Sequence, residues 1–160
     1  MSASHLHLIL NHLPVLGTAF GLGLLLFGLW RRSNELKKAA LGVFVIVALA
    51  AVPVYLTGEP AEEGVESLSG VSKPIIEQHE AAAGAALIGV VVLGASALGG
   101  LIFFRRSRLL PPWFCVSLLA ASSIVGVLMA WTANLGGQVR HTEIRANASL
   151  SNPPPAAHHD

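Results

Sequence analysis

Four long stretches of the chain carry no charged side chain: Leu13–Trp30, Ala39–Thr57, Ala81–Phe104 and Leu109–Leu135. Each has roughly the 17–25 residues that cross a hydrocarbon core of about 30 Å. Lipid offers no hydrogen bonds, so a spanning segment must satisfy its own amides as a helix or join a closed barrel. The alternation of a membrane β-strand is absent. The expected fold is therefore all-α, an integral membrane four-helix bundle. Composition agrees, since 53% of the 160 residues are hydrophobic and only 12% are charged. Soluble domains carry about twice that charged fraction.

The expected helices run over about 5–30, 39–57, 79–104 and 111–135, in one domain covering 1–145, with a disordered tail over 146–160. The first segment reads as a retained span. It lacks a basic n-region and a small-x-small cleavage site, and Arg31 and Arg32 follow it. Ser4 is the expected N-cap of the first helix, and Pro14 should kink it just below His12. Gly58 should cap the second helix, and the Gly136–Gly137 pair should break the fourth. Between the second and third helices, Pro60–Leu68 should form a short helix on the membrane surface, with Glu62, Glu63 and Glu66 in water. A second short turn from Lys73 should then lead into the third helix.

Charges sort by connector. Arg31, Arg32, Lys37, Lys38, Arg105, Arg106 and Arg108 fall in two short loops on one side. The positive-inside rule makes that side cytoplasmic and puts both termini on the periplasmic side. Trp30 and Trp113 then mark the cytoplasmic interface and Trp131 the outer one. Of the nine acidic residues only Glu35 shares the basic side, and all seven histidines lie on the other.

The histidines carry the functional reading. His12 opens the first span, His79 opens the third, and His141 follows the end of the fourth, so three imidazoles reach one level at the outer end. His5 lies on the face of His12 but roughly 10 Å higher at 1.5 Å per residue, while His7 is expected to point elsewhere. Imidazole is the commonest metal ligand, and polar groups at membrane depth are costly enough to suggest function.

One reading is a b-type haem between His12 and His79, with His141 as a substitute ligand and Arg140 pairing a propionate. Glycines and alanines near Gly17, Ala83, Gly84 and Gly136 would make room for the macrocycle. Such a protein would pass electrons between a periplasmic cytochrome and quinone or other membrane subunits, with Glu59–Glu66 as an acidic docking face. A second reading is a non-haem copper, iron or zinc ion on His12, His79 and His141 with Glu80, where EQHE and RHTE supply adjacent carboxylates. A third is a cofactor-free scaffold subunit whose glycine faces contact other membrane proteins. No HExxH, CxxC, P-loop or GxSxG motif occurs, and nothing points to nucleic acid. Cys115 is alone and has no internal disulfide partner.

At HLHLILNHLPVLG, YLTGEPAEEGVE, EQHEAAA and NLGGQVRHTEIR the chain resembles a family of small bacterial inner-membrane proteins without assigned activity. The resemblance runs to about Arg145. It implies a four-helix protein of the bacterial cytoplasmic membrane and supplies no chemistry. The likeness to b-type cytochrome bundles is architectural only. The basic side has no histidines, so a haem pair spanning the membrane is excluded.

Overall fold

A computed structural model describes residues 3–66, 71–106, 109–141 and 144–145. It is all-helical over those residues, with α1 Ala3–Leu10, α2 His12–Trp30, α3 Asn34–Leu56, α4 Gly58–Glu66, α5 Lys73–Phe103 and α6 Pro112–Arg140. Four helical segments are long and apolar enough to cross a membrane: His5–Trp30, Asn34–Gly64, Lys73–Phe103 and Pro112–Val139. The tail over 146–160, Leu68 and Glu143 lie outside the described residues.

The helices close a ring, α2 on α3, α3 on α5, α5 on α6 and α6 back on α2, while α1 packs on α4. Short connectors make sequence neighbours antiparallel, as in an up-and-down bundle. Among the described residues, one end of the ring therefore holds Arg31, Arg32, Arg105 and Arg106, and the other holds His7, His12, His79 and His141.

The core is narrow. Phe44, Leu25, Leu41, Leu93 and Val90 are fully buried, whereas Phe20, Ile46, Ile88 and Val127 stand exposed on the outer surface. In water that surface would be a liability, but it suits contact with acyl chains. Lipid gives apolar side chains little reason to leave it, so close contact between helices relies on small residues. Gly94 shows this directly: an added Cβ would collide with Ala48 of α3 and lie 3.1 Å from the Phe44 carbonyl oxygen. Gly21 faces the Phe44 ring from the other side, with 2.6 Å between its missing Cβ and Cε1. Gly100 yields in the same way to Phe114. These glycines pack inside the bundle, which takes them away from the scaffold reading. Gly23, Gly99 and Gly126 do face open space.

Several boundaries differ from expectation. The first helix is interrupted at Asn11, one residue above His12. Pro14 lacks an N–H and its ring crowds the carbonyl four residues back, so the chain yields just before the first turn of α2. The helix also begins at Ala3, so Ser4 lies within it. Thr57, not Gly58, caps α3, and Gly58 opens α4. Lys73 already starts α5, with Pro74 in its first turn, where a missing N–H costs nothing. Finally, α6 runs straight through Gly136–Gly137 to Arg140.

The arginine end is tightly closed. Ser33 Oγ accepts the Leu36 N–H at 3.3 Å and so caps α3. Arg32 takes a left-handed φ of 52° to make the reversal. Buried Asn34 accepts the Leu110 N–H at 2.8 Å, tying the first basic loop to the entry of α6. Phe104 bridges to Phe114, and Trp113 lies edge-on to Phe114.

Candidate functional site

The histidine end is hollow. A mostly apolar cavity of about 900 Å³ opens there, within the roughly 300–1,000 Å³ range of ligand pockets. His7, His12, His79 and His141 all line it. So do Tyr55 and the carboxylates Glu59, Glu62 and Glu80.

His79 leaves the first part of α5 and is half-buried against α6. Its Nδ1 lies 3.0 Å from the Thr132 carbonyl oxygen. A carbonyl only accepts, so the proton is on Nδ1 and Nε2 is the ring's acceptor nitrogen. Gly136 explains how the ring gets there. It sits one turn after Thr132, and a Cβ on it would stand 3.0 Å from His79 Cε1. The glycine that was expected to break the helix instead seats an imidazole on it.

His7 repeats the pattern from another direction. Its Nδ1 is 3.1 Å from the Val54 carbonyl oxygen and 3.2 Å from Thr57 Oγ1. That carbonyl belongs to the last turn of α3 and also takes the Thr57 N–H at 3.3 Å. The Thr57 hydroxyl donates to the same oxygen at 2.8 Å, leaving its lone pairs to accept from His7. The ring expected to point elsewhere is thus half-buried, locked to α3, and within electrostatic range of His79.

His12 is more loosely placed. Its ring is exposed, and Nδ1 donates to the Leu8 carbonyl of its own preceding turn at 3.1 Å. His141 is the exposed C-cap of α6, its N–H donating to the Gly137 carbonyl at 2.9 Å. Glu80 is exposed at the rim. Glu62, expected in water, is half-buried and lies within electrostatic reach of Glu80 and Glu59. The side chain of Arg140 lies outside the described residues, as does Glu143. Nearby, Arg145 donates to the Gln138 and Val139 carbonyls and closes the end of α6.

The three leading histidines, His12, His79 and His141, therefore all border one cavity. Among the described residues, however, no three His, Cys, Asp or Glu side chains gather closely enough to hold a metal ion together. Missed by sequence reasoning were His7 and Asn11. Asn11 Oδ1 is buried at the break between α1 and α2, with no hydrogen-bond partner among the described residues. Nothing local signals either role, because the partners of His7 lie 47 and 50 residues away.

Compared with family models, with curated proteins and with solved structures, the chain matches none.

Proposed function

We propose that the protein is a membrane electron-transfer protein holding a b-type haem in the cavity at its histidine end. One observation carries the reading. Three imidazoles border one apolar cavity, and each gives its Nδ1–H to a main-chain carbonyl. Fixing that tautomer is what outer partners of metal-bound histidines do, because it aims a basic Nε2 at the metal.

His79 and His7 are the axial pair in this reading. Both are half-buried, both are anchored to a neighbouring helix, and both line the one cavity. His12 was the first choice from the sequence, but its ring is exposed and held only by its own turn. Haem needs just two such nitrogens and an apolar slot, with small walls supplied by Ala83, Ala86, Ala133 and Gly137. A non-haem ion needs a fuller donor set, which the described residues do not gather. The bound group would supply one-electron redox chemistry, and the protein would supply ligands, an apolar surround and a route to its partners.

By the positive-inside rule the site faces the periplasm of a bacterial inner membrane. The exposed acidic rim suits a basic electron-carrier protein there. The test is an absorption spectrum of protein expressed with ample haem, recorded before and after dithionite. A Soret band that sharpens and shifts on reduction is expected. A colourless preparation refutes the reading.

A further inference from the structure

We propose that α1 is a hinged lid over the histidine cavity, which turns at Asn11, is latched by His7 to the end of α3, and opens to admit a bulky ligand. The lid does not rest on the haem reading, since it gates the cavity whatever the occupant.

The first observation is the joint. α1 ends at Leu10 and α2 starts at His12. Pro14 has no N–H, so the helical bond that would cross the joint to the Leu10 carbonyl is missing. Asn11 itself keeps a helical backbone, with φ −62° and ψ −23°, and its N–H still reaches the His7 carbonyl at 2.8 Å. The chain is weakened there without being strained, as a hinge between two helical segments requires.

The second observation is where α1 lies. It packs on α4 and only lightly on α2, outside the ring of the four long helices. It gives His7 and Leu8 to the cavity wall, while α5 and α6 give His79, Ala86 and Thr132. Lifting α1 therefore removes part of that wall and leaves the ring of helices in place.

The third observation is a balance of opposed terms. His7 gives its Nδ1–H to the Val54 carbonyl at 3.1 Å, with Thr57 Oγ1 at 3.2 Å, and so holds α1 down on α3. Against this stands Asn11 Oδ1, sealed at the joint with no hydrogen-bond partner among the described residues. A bare buried acceptor penalises whichever state buries it. Turning α1 at this joint returns that oxygen to water. The latch favours the closed lid and the hinge favours the open one, so each can be tested by a change of opposite sign.

The test places a thiol inside the cavity by Ala86→Cys, at a buried position of its wall. The whole protein, produced without added haem and held in nanodiscs, is exposed to the membrane-impermeant reagent methanethiosulfonate ethyltrimethylammonium. Mass spectrometry reads the labelling rate at position 86, which follows the open fraction. Buried Cys115 serves as the reference for general unfolding. Added to this background, His7→Ala should speed labelling about tenfold, the size of one lost buried hydrogen bond. Asn11→Leu, similar in size but with no acceptor to hydrate, should slow it by a similar factor. Cys115 should stay unlabelled throughout. An unchanged rate in His7→Ala with Cys115 still protected overturns the lid. If His7→Ala exposes Cys115 as well, Asn11→Leu decides, and an unchanged or faster rate there overturns the lid. Because the readout needs no cofactor, a colourless preparation refutes the haem reading without touching the lid, and rates indifferent to both substitutions do the reverse.

Discussion

The two ends of the bundle are built by opposite rules. At the arginine end the polar groups are consumed by structure: Ser33 caps α3, Asn34 holds the Leu110 amide, and aromatic rings fill the space between α5 and α6. At the histidine end imidazoles are pinned through Nδ1, which makes Nε2 their acceptor nitrogen, around a cavity of about 900 Å³. One end closes the fold. The other lines a cavity with imidazoles and leaves Asn11 Oδ1 sealed off and unpaired among the described residues. Local rules of packing and polar satisfaction are broken where a protein has something to bind.

That contrast can be broken from either side, and the largest effect is expected at His79. His79→Ala should abolish haem retention altogether, seen as loss of the Soret band, while far-UV circular dichroism keeps its helical signal. A variant that retains full haem occupancy would remove His79 as a ligand. At the opposite end, Asn34→Leu leaves a buried Leu110 N–H without an acceptor, which costs about 1–3 kcal/mol. The loss should appear as a lower denaturation midpoint in detergent, with the haem spectrum unchanged. If cofactor retention falls as well, the two ends are not independent.

Smaller changes sharpen the comparison. Gly136→Ala places a methyl 3.0 Å from His79 Cε1, so the ring must give by a few tenths of an ångström, which strains its bond to the Thr132 carbonyl. A roughly tenfold weaker haem affinity is expected, equivalent to about 1.4 kcal/mol, with little change in thermal stability. Thr57→Val removes one of the two acceptors of His7 Nδ1 but leaves the Val54 carbonyl. The change should be the smallest, on the order of 0.5–1 kcal/mol for one net hydrogen bond, and measurable as a slightly faster haem loss to apomyoglobin. A larger effect than that of Gly136→Ala would reverse the ranking of the two anchors.

Much of the fold was legible because lipid imposes a short list of rules. Long uncharged stretches become helices, and the basic groups at Arg31–Lys38 and Arg105–Arg106 gather at one end. That His12, His79 and His141 border one cavity was also readable, since depth along a helix can be counted from either end. Their rotation about the helix axis was not. His12 sits exposed at the cavity's edge, held only by its own turn, while His7, only five residues earlier, reaches across to the end of α3. Gly136–Gly137 misled for a related reason. A glycine pair in isolation suggests a break, and only the His79 ring lying on Gly136 reveals a close approach within an unbroken helix.

The amino-acid order alone therefore determined an all-helical chain with four candidate spans and its imidazoles collected at one end, since hydrophobic length and charge placement act segment by segment. Tertiary structure decided which nitrogens are tied, which buried acceptor is unpaired among the described residues, and which side chains line the cavity. Those facts depend on contacts between residues such as His79 and Thr132, separated by 53 positions, which no local pattern specifies.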